Sequence, residues 1–270
     1  MKLFDLRKNL KSEFASLSIE TEDVDFIISE VLGVKRTELI LVEEISEELE
    51  SQIREKAKMR LNNIPVNKIF NKAYFYGMEF KVDDNVLSPR PESELLVETA
   101  LKYIKQYGYK TALDLCTGSG CLAISIKKNC DIVMTASDIS SKALSVAKNN
   151  AKNLNAEIQF IRSNMFEKIE NSFDIIVSNP PYIDSDEIND LDEEVRAHDP
   201  LLALDGGAMG LKFYNIIHNN LRKHLNENGM IVMEIGDEQK ELVISLFNDF
   251  NLVESLTDLS GKDRVLVFKK

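Results

Sequence analysis

The segment Phe173-Asp-Ile-Ile-Val-Ser-Asn179-Pro180-Pro181-Tyr182 runs from apolar residues into two prolines flanked by an amide and a phenol. It reads as a buried strand with the tetrapeptide at its C-terminal end. Adjacent prolines offer no N–H and hold the backbone extended, which leaves the Pro180 carbonyl pointing outward without an internal partner. With the Asn179 side-chain oxygen, two acceptors then face one place. Such a pair suits an NH2 group, which has two protons to donate. The nitrogen of an amide or aromatic amine is a poor nucleophile, because its lone pair is delocalised. Hydrogen bonds accepted from both its protons fix it and favour charge on it as it attacks a methyl group, which is orientational and electrostatic catalysis rather than base catalysis. The Tyr182 ring can pack on the planar group. Asn179, Pro180, Pro181 and Tyr182 are therefore the candidate substrate-binding residues, with Asn179, Pro180 and Tyr182 as the candidate catalytic ones. A strand that merely stops at a turn needs one proline, not this whole tetrapeptide.

A second constellation is Leu113-Asp-Leu-Cys-Thr117-Gly118-Ser119-Gly120-Cys-Leu-Ala123, which leaves a strand, turns on glycines and enters a helix. Ligands bind at such turns because the glycines allow close backbone approach and the strand ends open into a crevice. Asp138 stands twenty residues after Gly118, at the end of the next strand, where a carboxylate can accept from both hydroxyls of a ribose. Gly118-x-Gly120-x-x-Ala123 also fits a dinucleotide fingerprint. The plainest alternative is that the glycines only turn the chain and Asp138 caps the next helix.

The elements that position these residues follow from periodicity. From Leu3 to about Asn62 apolar residues recur every three or four positions, predicting a small helical domain over residues 1–70. Thr21 and Ser46 precede acidic first turns and are the candidate caps. Aromatic and β-branched positions between Ala73 and Leu87 predict a β-hairpin about the Asp-Asn turn, connecting the domains over residues 71–90. Pro91 then opens a helix. Residues 91–270 alternate short apolar runs, Ala112–Leu115, Ile132–Ser137, Ile158–Ile161, Phe173–Ser178, Met230–Ile235, Leu252–Leu256 and Val265–Phe268, with helical stretches including Leu122–Lys128, Ala143–Asn153, Phe213–Leu225 and Gln239–Phe247. This predicts an α/β, Rossmann-like, seven-stranded and mostly parallel sheet with helices on both faces. The short loop at Ser260-Gly261 forbids a helical crossover, so the last strand should be antiparallel.

Composition narrows the function further. The 270 residues carry 33 Lys and Arg against 45 Asp and Glu, a net charge of −12, which argues against a dedicated nucleic-acid binder. Cys116, Cys121 and Cys130 are odd in number and form no CxxC pair, so neither a disulfide framework nor a thiolate metal site is expected. Cys116 and Cys121 read as small buried side chains. His198, His218 and His224 show no liganding pattern, and no metal is expected. The N-terminus lacks the apolar stretch of a secretory signal and no apolar run is long enough for a membrane span, so a cytoplasmic protein is expected.

Taken together, Asp114-Leu-Cys-Thr-Gly-Ser-Gly, Asp138-Ile-Ser and Asn179-Pro-Pro-Tyr resemble class I S-adenosylmethionine-dependent methyltransferases acting on exocyclic or amide nitrogens. Leu87-Ser-Pro-Arg-Pro-Glu-Ser-Glu, Asp199-Pro-Leu-Leu-Ala-Leu-Asp-Gly-Gly with Gly210-Leu-Lys-Phe-Tyr, and Asp258-Leu-Ser-Gly-Lys-Asp-Arg narrow the likeness to the release factor glutamine methyltransferase family, over nearly the whole chain. The resemblance implies methyl transfer from S-adenosylmethionine to the side-chain amide nitrogen of the glutamine in the Gly-Gly-Gln loop of class I peptide chain release factors, leaving S-adenosylhomocysteine. It further implies that Thr117, Gly118, Ser119 and Gly120 form the cofactor loop, that Asp138 holds the ribose and Met165 the adenine, and that Asn179 borders both cofactor and glutamine.

Three positions depart from the family pattern. Ser88 stands for isoleucine, Asn71 for the glycine of a Tyr-Ile-x-Gly pattern, and Asn164 for an aspartate that often precedes the adenine contact. Asparagine keeps an acceptor oxygen but loses the charge. The rival enzyme is a DNA adenine methyltransferase, whose target NH2 has the same donor geometry. Asp184, Asp186, Glu187, Asp190, Asp192, Glu193 and Glu194 follow Tyr182 with no basic residue before Arg196, however, and would repel a phosphate backbone even as a solvated loop. A catalytically inactive cofactor-binding protein has no need of the intact tetrapeptide, and an NAD oxidoreductase leaves it unexplained. Arg90 and Glu94 either position the cofactor loop or substrate, or pair at the domain junction. Gly236-Asp237-Glu238 reads as a turn into a helix.

Overall fold

A computed structural model describes residues 1–270. Residue contacts divide them into two units, Met1–Lys72 with Glu193–His198, and Ala73–Asp192 with Asp199–Lys270. In the first, helical periodicity produces α1 (Leu3–Ser16), α2 (Glu22–Leu32), α3 (Glu47–Leu61) and α4 (Val66–Phe70), with a 3-10 turn at Arg36–Leu41. Leu6, Phe14, Ile27, Ile28 and Ile53 are fully buried in their shared core. Ser46 caps α3 by accepting from the Leu49 N–H at 3.2 Å. Thr21 does not cap α2: it is itself helical, and its hydroxyl donates to Glu22 Oε2. Asn71 ends α4 in the left-handed conformation, φ 52°. After glycine, asparagine is the residue best suited to that position, so this departure preserves the backbone.

The hairpin of the second unit is β1 (Lys72–Phe75) and β2 (Met78–Lys81), and its turn is Tyr76-Gly77 rather than the expected Asp-Asn. Both turn residues have positive φ, 50° and 71°, which matches the twist of paired strands. Asp83 instead accepts the Asn85 N–H at 2.9 Å, a local turn that satisfies its own backbone and continues no ladder. Beyond it, Pro91 opens a 3-10 turn into α5 (Glu94–Tyr107), as expected.

The sheet then assembles from β3 (Thr111–Leu115), α6 (Cys121–Asn129), β4 (Val133–Asp138), α7 (Ser141–Asn153), β5 (Ile158–Arg162) and β6 (Phe173–Ser178). Two short unforeseen helices follow, α8 (Glu193–His198) and α9 (Leu201–Leu204), then α10 (Lys212–His224), β7 (Leu225–Glu234), α11 (Lys240–Leu246), β8 (Asn251–Thr257) and β9 (Asp263–Lys269). Strand order is β5-β4-β3-β6-β7-β9-β8, all parallel except β9, which runs antiparallel between β7 and β8. The chain winds outward from β3 through β4 to β5 and returns to β6, so the order reverses between β3 and β6. That reversal opens a crevice at the carboxyl ends of the strands.

β7 begins earlier than its apolar run. Leu225 already pairs with Phe173, and Asn226 Nδ2 donates to Asp174 Oδ1 at 2.8 Å, so the strand takes in Leu225, expected to end the preceding helix, and the polar residues after it. Along the central strands successive side chains enter opposite clusters: Ala112, Ile175, Val177, Met230 and Val232 on one face, Leu113, Ile176, Ile231 and Met233 on the other. No helix is long and apolar enough to cross a membrane.

Phe247 anchors the second face, fully buried and stacked on Phe268 at 4.8 Å. Phe247→Ala is expected to lower the free energy of unfolding by about 3–5 kcal/mol, read from urea denaturation.

Candidate active site

A cavity of about 480 Å³ opens at the carboxyl ends of β3, β4 and β6. Its walls include Thr117, Gly118, Ser119, Asp138, Met165, Asn179 and Pro181, so both sequence constellations meet in one space. Gly120, Pro180 and Tyr182 are not on that lining. Gly120 starts α6 from behind the loop, where a side chain would press on Ala147. Pro180 is buried, and Tyr182 packs on the second apolar cluster.

The glycine loop is shaped by carboxylates. Asp114, fully buried in β3, accepts from Thr117 Oγ1 at 2.6 Å and from the Ala123 N–H at 3.1 Å, tying the loop's first turn to the start of α6. No cation faces it, and burial pushes its carboxyl up to about 7 against those two donors. Asp138 ends β4 and accepts from the Gly118 N–H at 2.9 Å and the Ser140 N–H at 2.8 Å. It therefore braces both the loop and the entry to α7, while each oxygen keeps lone-pair capacity for a ligand. Burial raises this carboxyl too, opposed by its backbone donors. Asn150 supports the loop from below, donating to Ser119 O and Lys81 O at 2.9 Å each.

Met165 is buried with a positive φ of 48°, its sulfur 3.7 Å from Cys116 Sγ. Asn164 is exposed on the same wall and donates to Glu167 Oε1 at 2.6 Å. Cys116 and Cys121 are half-buried on the lining, with thiols that burial pushes up, the second to about 12. His224 ends α10 and is buried, stacked on Phe166 at 4.7 Å, with Nδ1 3.0 Å from Asn171 O.

The segment after Tyr182 is folded onto the Gly206–Gly210 region. Ile183 N donates to Leu204 O at 3.0 Å, and Gly206 N to Ile183 O at 2.8 Å. A side chain on Gly210, itself at φ 65°, would collide with the Tyr182 carbonyl, and one on Gly206 would come within 2.7 Å of Tyr182 Cα. Gln239 Nε2 donates to Tyr182 O at 2.8 Å, and its Oε1 accepts from the Gly236 N–H at 3.0 Å. The acidic run is only partly a solvated loop. Asp184 accepts from the Met209 N–H at 2.9 Å, Glu193 from Asn63, and Glu194 pairs with Arg60 at 2.8 Å. Arg90 resolves to an ion pair with buried Asp199 at 2.9 Å, and Glu94 accepts the Tyr76 N–H at 2.7 Å.

Two polar residues beside Asn179 were missed by sequence reasoning. Glu234, at the end of β7, is 3% exposed and accepts from Ser93 Oγ at 2.5 Å, while Asn179 Nδ2 lies 3.3 Å from the same Ser93 oxygen. Burial pushes the Glu234 carboxyl up to about 7, opposed by Ser93 and by Arg264 across the strand pair. The available signal was a lone carboxylate in the apolar run Met230-Ile-Val-Met-Glu-Ile. Asp258 organises the β8–β9 turn, accepting from the Ser260 and Lys262 N–H groups, and pairs with Arg264 at 2.8 Å. The Asp258-to-Arg264 motif thus delivers a cation to the region of Glu234 and Tyr182.

Folded Asp114 and Glu234 keep their protons up to about pH 7, whereas the unfolded chain releases them near pH ~4. The native state then binds more protons across that window, so stability falls as pH rises from ~4 to ~7. Carboxyls lowered by their donors, such as Asp174 and Asp258, act below it. The melting temperature of the ligand-free protein is expected to be higher at about pH 5.5 than at about pH 7.5, and Asp114→Asn to flatten that slope.

A family description of the methyltransferase small domain matches residues 91–199. The chain is 38% identical over 279 residues to the release factor glutamine methyltransferase of Agrobacterium fabrum, covering 99% of this chain and 96% of that protein. With the release factor glutamine methyltransferase of Clostridium acetobutylicum it shares 39% identity over 277 residues, covering 99% and 95%. Among solved structures, a methyltransferase from Pyrococcus furiosus superposes with a TM-score of 0.57 at 20% identity, covering 79% of this chain and 98% of that one, a likeness of fold. Identity at this level over essentially the full length places the chain in the release factor glutamine methyltransferase family.

Proposed function

We propose that the protein transfers a methyl group from S-adenosylmethionine to the side-chain amide nitrogen of the glutamine in the Gly-Gly-Gln loop of class I peptide chain release factors, in the cytoplasm. The observation that carries this reading is the meeting of the glycine loop, Asp138 and the strand end, through Asn179 and Pro181, around one cavity.

The residues present fit the cofactor. Asp138 offers lone pairs to vicinal hydroxyls, and Ser88 and Ser137 on the lining have buried hydroxyl oxygens with no partner in the protein. Such orphaned groups mark a place where a polar ligand completes the hydrogen bonding. Thr117, Gly118, Ser119 and Gly120 form the loop that lets the ligand approach, and Met165 with Ile139 supplies apolar wall for an adenine. S-adenosylmethionine, when bound, supplies an electrophilic methyl on a sulfonium.

This chain's own part is to present the nucleophile. The Asn179 side-chain oxygen and the Pro180 carbonyl accept one N–H each from the glutamine amide, fixing the nitrogen and favouring the positive charge that develops on it. Pro181 and Tyr182 give the strand end its shape, and Tyr182 is itself pinned by Gln239, Gly206 and Gly210. The Tyr182 phenol is pushed up to about 12 by burial and by Glu234, so it stays neutral. Asp186 and Glu187, exposed just beyond Tyr182, favour a protein substrate over a phosphate-lined one.

The test is peptide mass spectrometry of a release factor with an unmodified glutamine after incubation with the protein and S-adenosylmethionine. One methyl on that glutamine is expected. Asn179→Ala is expected to lower turnover by about 100- to 1000-fold, as loss of a charge-stabilising partner does elsewhere, with cofactor affinity nearly unchanged. Asp138→Ala should do the reverse, weakening cofactor binding by calorimetry. Methylation elsewhere, or equal loss of both properties in Asn179→Ala, rejects the assignment.

A further inference from the structure

Asn179 is held from behind by a chain of donors whose order is fixed when Glu234 is ionised. The Ser93 hydroxyl has one proton, and it is given to Glu234 Oε2 at 2.5 Å. Its oxygen is then left only to accept, and the group it meets at 3.3 Å is Asn179 Nδ2. The Asn179 amide also stabilises the charged Glu234 carboxylate. A hydroxyl with its proton committed and a carboxylate both require donors, so the end of the Asn179 amide that faces them is the NH2. The oxygen is thereby turned away from them. Since Asn179 lines the cavity, that oxygen is free for the ligand side.

We propose that Ser93 and Glu234 are positioning residues for methyl transfer: the ionised Glu234 carboxylate, acting through the Ser93 hydroxyl, locks the Asn179 amide with its oxygen toward the methyl acceptor. The inference rests on the function proposed above.

A purely structural account fits this site poorly. A carboxylate only 3% exposed is costly to bury, and apolar residues of the same size would stabilise the fold better. The groups facing Glu234 are Arg264 from β9, Glu92 from the turn before α5, Tyr182 after β6, Tyr214 on α10 and Cys121 at the start of α6. Of these only Arg264 favours the charged form, and burial leaves the carboxyl poised at about 7. Protonation reverses the chain of donors. A neutral carboxyl donates to Ser93, whose own proton is then free for the Asn179 oxygen, so the amide is held equally well either way round.

Turnover of the unaltered protein should therefore rise with pH through about 7 and level off above it. Glu234→Gln is expected to lower kcat by about 10- to 100-fold, with cofactor affinity and the acceptor KM within about twofold, and to abolish the inflection. Ser93→Ala should behave alike, and Ser93→Thr, which restores a hydroxyl, should recover turnover. This Ala–Thr pair decides the matter if Glu234→Gln does not fold. A readout that needs no methyl acceptor is the NMR signal of the Asn179 side-chain NH2 in the free protein, expected to titrate near pH ~7 and to lose that titration in Glu234→Gln. Ordinary kcat in Glu234→Gln, a Ser93→Thr protein as slow as Ser93→Ala, or an Asn179 signal indifferent to pH overturns the lock. Failure of the functional reading shows differently, as no methyl transfer by the unaltered protein while the Asn179 titration persists, an outcome that supports the lock.

Discussion

A carboxylate at the carboxyl end of a buried parallel strand has no ladder partner for its side chain, so it recruits donors from whatever follows the strand. Three strands of this sheet end that way. Asp114 in β3 recruits Thr117 and Ala123, Asp138 in β4 recruits Gly118 and Ser140, and Glu234 in β7 recruits Ser93. Each recruitment bends a different segment toward the same crevice: the glycine loop, the entry to α7, and the turn that begins α5. The cavity is the space those segments enclose. Its dependence on buried charge also explains why Asp114 and Glu234, with too few cations near them, have carboxyls displaced to about 7.

The fourth strand end, β6, carries no carboxylate and is managed by backbone instead. Two prolines deny it donors, and the segment beyond them is stitched to Leu204, Gly206 and Gly207 by main-chain hydrogen bonds. That stitching requires close approach, and glycine at Gly206 and Gly210 is what leaves room for the Tyr182 main chain. The Asp199-to-Gly210 motif therefore acts at one remove from chemistry. It fixes where the strand end points, and Gln239 closes the arrangement by bonding Tyr182 and Gly236 together.

Much of this was legible from residues alone, because the near-continuous apolar runs of β3, β6 and β7 report directly on a sheet covered on both faces, and a proline pair after an apolar run reports a strand end. The hairpin was misplaced because Tyr76-Gly77 and Asp83-Asp84-Asn85 are both turn-formers. The choice between them was made by Phe75 and Phe80, which pack edge to face at 6.2 Å only if the turn lies between them. The early start of β7 was hidden for a related reason: Asn226 looks like a turn residue until Asp174 supplies its partner from another strand. Ser93 and Glu234 were invisible as a pair because 141 residues separate them, and only the pairing of β6 with β7 sets their neighbourhoods side by side.

The three departures from the family pattern divide along the same physical line. Asn71 changes the residue but not the constraint, since its left-handed backbone is one asparagine tolerates. Asn164 changes charge but is exposed, where its amide finds Glu167 and the cost is small. Ser88 changes the constraint itself. It places a hydroxyl, 3% exposed and without a protein partner, on the cavity wall where the pattern has a branched apolar side chain. An orphaned hydroxyl costs the ligand-free fold free energy that an apolar residue would not. Along with Ser137 it leaves this site less satisfied when empty than the rest of the core, so part of the binding energy of a polar ligand is already stored in the wall that receives it.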